Sequence, residues 1–252
     1  MAPSPQRTPV LFQATGSPAG IEFAGRHAEV VFTGGRTAED FRRNATAMRD
    51  AARRHGRNAD DLRFIVQAGV VVARTEEEAA EKWRLYKENT SIEGILAHAS
   101  LPVDLTAFPP ETLVADALLA AGVPASAVPH LRPDATVAQA LESIRAGRED
   151  RYFVAGTPRV VADEIERWLD DDGVDGINLR QYHSFDTVRD FVDLVVPELR
   201  RRGRLREGDE PTTLRDRLFG RGHQLPSRHI ARRYRGGANL DVPVEPLSLR
   251  GG

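Results

Sequence analysis

An α/β fold of repeated strand–helix units is what this sequence predicts, and three observations carry the prediction. Short runs of strand-forming residues alternate with longer amphipathic segments, the order that builds a parallel sheet covered by helices. The junctions carry helix-start chemistry, a hydroxyl residue followed by proline or by acids. The length, 252 residues, is that of one eight-stranded (β/α) barrel. Only four units are clear, with a further one at 152–155, so the chain has the length of a barrel and about half its parts.

Taken in order, Pro9-Val-Leu-Phe-Gln-Ala reads as a strand, and Ser17 with Pro18 as the cap and first residue of a helix over 19–27. Glu29-Val-Val-Phe-Thr is the next strand, Gly34-Gly35 a turn, and Thr37-Ala-Glu-Asp opens a helix to about His55. The run 62–73 is the strongest strand signal. Thr75-Glu-Glu-Glu then predicts a capping box with acids at the positive end of a helix. Residues 91–134, rich in Ala, Leu and Pro, carry no strand signal and predict a helical insertion. Tyr152-Phe-Val-Ala-Gly leads into Thr157-Pro158 and a helix through Trp168, and Gly176-Ile-Asn-Leu-Arg is the last strand. Apolar residues at helical spacing fill a final helix over 184–202. These elements divide the chain into a barrel-like region, 8–206, with its insertion at 91–134. The arginine- and glycine-rich tail at 207–252 is expected to be disordered at its end.

Composition narrows the function. The 35 Lys+Arg against 37 Asp+Glu give a formal net charge of −2, which calls for neither nucleic acid nor an anionic membrane. No apolar run nears the roughly 18 residues of a membrane span, and no signal-peptide core opens the chain, so the expected address is the cytoplasm. Cysteine is absent, which removes disulfides, thiolate metal sites and thiol nucleophiles. Lys82 and Lys87 are the only lysines, a skew that reads as GC-rich coding.

Helix starts that follow strands are anion sites, because unpaired N–H groups and the helix dipole both favour negative charge there. Two such turns stand out, Gln13-Ala-Thr-Gly-Ser-Pro and Ala155-Gly-Thr-Pro, although caps alone would account for Ser17 and Thr157. His183 follows the last strand at a ligand-facing end and is the candidate to line a substrate pocket. The other histidines show no metal-ligand spacing. Asp170-Asp-Asp reads as solvated surface, and Arg200-Arg-Arg as cations at a helix C-terminus.

The segment 9–20, with Phe23-Ala24 and Arg26-His-Ala-Glu, resembles the signature of a flavin monooxygenase group, the nitrilotriacetate monooxygenase component A type of the bacterial luciferase-like superfamily. That form reads Gln-Ala-Gly-x-Ser-x-x-Gly, and this chain departs from it at Thr15. Val154-Ala-Gly-Thr-Pro, the run 190–203 and Thr212-Thr-Leu-Arg-Asp-Arg-Leu are also similar, so the resemblance extends over 9–218. It implies a (β/α)8 barrel that uses reduced FMN, supplied by a separate flavin reductase, and O2 to oxygenate a small aminopolycarboxylate or organosulfur substrate. It also implies that Ser17 contacts the FMN phosphate, with Thr15 and Gly16 as further contacts. Members of the group are longer, and their first strands precede the Gln-Ala motif, so the chain is expected to correspond to the C-terminal half. A half barrel leaves open strand edges and unpartnered apolar faces. It would need an N-terminal half-barrel chain or a homodimer. The alternatives are a non-catalytic remnant or subunit, and a deazaflavin-dependent oxidoreductase.

Overall fold

The computed structural model describes residues 4–35, 37–99, 101–146, 152–205 and 213–233. It divides into two units, one of residues 1–66, 174–176 and 208–252, the other of 67–173 and 177–207.

In the first unit, β1 (Phe12–Ala14) pairs in parallel with β2 (Val30–Phe32), which pairs in parallel with the start of β3 (Arg63–Val72). The registers are Phe12 to Val30 and Val30 to Arg63. Helix α1 (Pro18–His27) connects the first pair and α2 (Ala38–Arg54) the second. Ser17 and Thr37 cap them as the sequence predicts, and Thr37 and Asp40 complete a reciprocal capping box. The helices lie so close that a Cβ on Gly25 would come within 2.9 Å of the Ala51 and Ala52 backbone. Beneath them Val30, Val31, Phe41, Met48 and Phe64 are buried, and Phe41 meets Phe64 edge-on at 6.3 Å. Each such side chain contributes about 1.5–3 kcal/mol on burial.

Both strands at the start are shorter than their apolar runs. Phe12 stays 53% exposed, and among the described strands β1 pairs with β2 alone.

Residues 213–233, grouped by composition with the tail, fold as part of this unit. They form α10 (Leu214–Phe219) and a short 3-10 turn (Ile230–Arg233), and they bury Arg215, Leu225 and His229. The end of the chain, for which disorder is expected, lies outside the described residues.

In the second unit, the far half of β3 pairs in parallel with β4 (Phe153–Gly156), Gly69 opposite Phe153. The strand β5 (Gly176–Arg180) also pairs with β3. The helix α3 (Glu76–Glu88) follows β3, and α7 (Pro158–Asp170) follows β4 with Val161, Ala162, Ile165 and Trp168 turned inward. Between them run α4 (Ile92–Ala99), α5 (Val114–Ala120) and α6 (Val137–Ala146). Their core of Leu105, Val114, Leu118, Val128 and Val137 is separate, and it extends past residue 134, where the insertion was expected to end.

The last helix is not uniform. The segments α8 (Asp186–Asp190) and α9 (Val196–Arg201) flank a π turn over Phe191–Val195, closed by the Val196 N–H donating to the Phe191 carbonyl. Pro197 has no N–H to continue the α pattern, which explains the wider turn.

Arg202 and Arg204 do not form a free basic patch. Arg202 donates to Asp163 at 2.6 Å, Glu166 at 2.7 Å and Glu198 at 2.8 Å, and Arg204 pairs with Glu166 and Asp170. Asp163 and Glu166 of α7 are therefore engaged, and so is Asp170, whose triplet reads from sequence as solvated surface. Asp172 is buried rather than solvated, with Arg167 at 3.6 Å.

Candidate flavin-phosphate turn and the His183 cluster

Five strand-to-helix turns are described, and they differ in how their helix starts are satisfied. At α2 the first turn carries Glu39 and Asp40, at α3 Glu76, Glu77 and Glu78, and at α8 Asp186. The Thr75 hydroxyl accepts from the Glu78 N–H at 3.2 Å. Glu78 reaches back to the Arg74 N–H, one residue before the partner that a capping box predicts.

The turn at Thr157 looks open in sequence, since α7 has no acid in its first turn. It is not. The Glu76 carboxylate from α3 accepts from the Thr157 N–H at 3.3 Å, and its other oxygen lies 3.1 Å from where a Cβ on Gly156 would stand. The Thr157 side chain makes no cap bond. A carboxylate already serves this helix start, which disfavours a second anion.

The turn at Ser17 is the exception. Helix α1 has no acid in its first turn, and Gly16 is exposed with open space around its Cβ position. The Ser17 side chain, also exposed, accepts from the Gly20 N–H at 3.1 Å, and the Ser17 carbonyl accepts from Ile21. Pro18 has no N–H, and within the helix the Ala19 amide, at the first turn, has no carbonyl to donate to. Thr15 is half-buried, and its side chain fills the space beside Gly20, its Cβ lying 2.8 Å from where a Gly20 Cβ would stand. The threonine that departs from the resembled motif thus rests on the glycine that closes it.

His183, in the second unit, has the partner that the sequence reading did not find. Its Nδ1 lies 2.8 Å from an Asp186 carboxylate oxygen, and its backbone N–H donates to the Thr187 hydroxyl at 3.1 Å. Its ring lies parallel to Tyr86 with centroids 6.2 Å apart, and Tyr86 in turn stacks with Tyr182. Burial raises the Tyr86 phenol above its ordinary value. Lys82, one of the two lysines, donates to Asp190 at 2.7 Å and to the Val72 carbonyl at 3.0 Å. The i, i+3 spacing of His183 and Asp186 was the available signal for that pair. Nothing in sequence marks Glu76 as the acid that serves Thr157, 81 residues away.

Known proteins resemble this chain in sequence and fold. A family model described as luciferase-like monooxygenase matches residues 1–176. The chain is 37% identical over 238 residues to long-chain alkane monooxygenase of Geobacillus thermodenitrificans (strain NG80-2), covering 92% of this chain and 50% of that one. It is 33% identical to dimethyl-sulfide monooxygenase of Hyphomicrobium sulfonivorans, covering 92% and 50%. With nitrilotriacetate monooxygenase component A of Aminobacter aminovorans the identity is 31%, covering 90% and 51%. The narrower nitrilotriacetate-type assignment is therefore not singled out. A solved structure of long-chain alkane monooxygenase superposes with a TM-score of 0.77 at 36% identity, covering 93% of this chain and 51% of that one. One of riboflavin lyase, solved with modified FMN and riboflavin, superposes with a TM-score of 0.74 at 31% identity, covering 92% and 52%. The chain spans about half the length of the relatives it matches, and over that span it has their α/β barrel-type fold. On these matches, the chain belongs to the luciferase-like monooxygenase family.

Proposed function

We propose that this chain contributes the second half of a flavin-dependent monooxygenase barrel and that the turn before α1 holds the phosphate of FMN. One observation carries the assignment. Among the described strand-to-helix turns, only the one at Ser17 lacks a carboxylate, so its positive helix end remains for an external anion. The Ser17 hydroxyl and the Ala19 amide would donate to the phosphate, with Gly16 leaving the approach clear and Thr15 bordering it. Relatives named for alkane, dimethyl sulfide and nitrilotriacetate oxidation, and one solved with modified FMN, support this chemistry.

Bound reduced FMN supplies the electrons with which O2 is split between an oxygenated product and water. The protein's part is to bind, orient and exclude water. His183 is the substrate-side residue in this reading. Asp186 fixes its Nδ1, which leaves Nε2 to hydrogen-bond a polar group or hold a proton. A separate flavin reductase would supply the reduced flavin. An N-terminal half-barrel chain, or a second copy of this one, would supply the remaining strands. The substrate is a small organic molecule of organosulfur or aminopolycarboxylate type.

Anaerobic titration with reduced FMN, with light scattering to give the oligomeric state, tests the assignment. Saturable binding is expected. Ser17→Ala should weaken it about tenfold or more, the equivalent of one charge-assisted hydrogen bond of about 1.5–3 kcal/mol. Thr157→Ala should leave it unchanged. Absence of binding by the folded chain, or equal loss in both variants, would sink the assignment.

A further inference from the structure

We propose that the first unit carries a second anion site, built to hold a phosphoryl dianion among Arg26, Arg57 and Arg228 at the opposite end of α1 from Ser17. A cavity of about 360 Å³ is lined there by Arg26, His55, Arg57, Arg228 and Ile230, with no carboxylate in its wall. A neighbouring cavity of about 150 Å³ shares Arg57 and Arg228 with it.

The nearby acids are already engaged. Glu29 holds Arg215 at 2.7 Å, Glu22 holds Arg54 and His55, and buried Asp61 is divided between Arg221 at 2.5 Å and Arg228 at 3.1 Å. Arg26 is exposed and has no polar partner among the described residues. Arg57 is only 5% exposed and meets carbonyls alone, donating to Gly25 at 2.7 Å and Ala28 at 2.6 Å, with a longer contact to Ala24 at 3.4 Å. Those bonds use its two terminal nitrogens to finish the C-terminal end of α1. Its buried Nε has no hydrogen-bond partner.

Burial is what most disfavours the Arg57 charge, and Asp61 and Glu29 offset it only in part because each is hydrogen-bonded to another arginine, which leaves a surplus of positive charge there. Its neighbours register the same surplus. Burial, followed by the charges of Arg26 and Arg57, holds His27 below its ordinary value, and burial followed by Arg57 does so for His229. Guanidinium forks match the paired oxygens of phosphate. The cavity is within the range of small-ligand sites, and Ile230 gives it one apolar wall, so it can take either inorganic phosphate or the phosphoryl end of an ester.

The test is calorimetric titration of the purified chain with inorganic phosphate at constant ionic strength, followed by AMP. Saturable binding of phosphate is expected, weakened about tenfold or more in Arg26→Gln and in Arg228→Gln and unchanged in Thr157→Ala. Arg26 is exposed and its variant keeps the Asp61 pairs, so a folding defect is not expected to obscure the result. Binding should also raise the imidazole pKa values of His27 and His229, read by NMR, because a dianion offsets the arginine charges that add to burial in lowering them. Tighter binding of AMP would identify an ester as the ligand, and equal or weaker binding free phosphate. No saturable binding, or binding unaffected by both arginine variants, would overturn the proposal.

Discussion

Removal of Arg215 alone should destabilise the first unit far more than removal of its charge together with that of Glu29. Both side chains are nearly inaccessible, at 2% and 4% exposure. Arg215 donates to the two Glu29 oxygens at 2.7 and 2.9 Å and to four carbonyls, those of Gln6, Thr8, Pro9 and His223. Glu29 also accepts from the Leu11 N–H at 3.0 Å, so the pair ties α10 to the starts of β1 and β2. Arg215→Met leaves a buried carboxylate with one backbone donor, a change expected to cost about 3–5 kcal/mol. For a chain of this size that is a fall in Tm of roughly 6–20 °C. The carbonyls it deserts belong to half-buried or exposed residues, where water can replace the guanidinium. Glu29→Gln added to Arg215→Met should therefore recover stability, with a coupling of about 1.5 kcal/mol or more between the two sites. Urea unfolding of the four proteins, followed by circular dichroism, measures it. Additivity within about 0.5 kcal/mol would refute the reading of a mutually dependent buried pair.

Two further outcomes follow from local geometry. Gly20→Ala should cost about 1–3 kcal/mol, because the new Cβ meets the Thr15 side chain. In a Thr15→Gly background the same substitution should become neutral or stabilising, since alanine is the better helix former. Urea midpoints that show no such change of sign would discount the contact. Glu198 is held down to about 2, first by the hydrogen bond from Arg201 and then by that from Arg202. A depressed carboxyl contributes stability above its ordinary 4.5 and loses it as pH falls from there through about 2. Glu198→Gln should flatten the acid limb of the melting profile in that window, and an unaltered limb would count against the pairing.

The parts of the fold legible in sequence are those fixed by neighbours along the chain. Ser17, Thr37 and Thr75 cap their helices because a cap is decided within three residues, and 62–73 reads as a strand because nearly every residue of it is apolar and much of it is buried. Failures occur where a distant residue decides. Thr157 has all the local marks of an anion turn, but Glu76 reaches it from another helix. The arginine-rich composition near 215–232 reads as a tail. Yet Arg215 is among the most buried side chains, because Glu29 and four carbonyls, most of them about 200 residues away, surround it. Asp172 hides in an acidic triplet that looks solvated, and no periodicity separates it from its neighbours. At His183 the signal was present, in an acid three residues on, and went unread for want of the helix turn that brings the two together.

Helix α1 joins the two proposed sites through its own polarity. A helix of ten residues spans about 15 Å and carries partial positive charge at its start and partial negative charge at its end. Left bare, the end near Ala24 and Ala28 would repel an anion. Arg57 covers those carbonyls, and with Arg26 in the last turn it reverses the sign there. The start needs no such reversal, because among the described residues no acid of its own first turn or of a neighbouring helix serves it. Both ends of one helix therefore favour negative charge, by dipole at Ser17 and by guanidinium at Arg57. Their separation exceeds the screening length of about 8 Å at physiological salt, so a charge bound at one end scarcely alters binding at the other. The two proposed sites can therefore be tested separately, with Ser17→Ala bearing on the turn before α1 and Arg26→Gln on the arginine cavity.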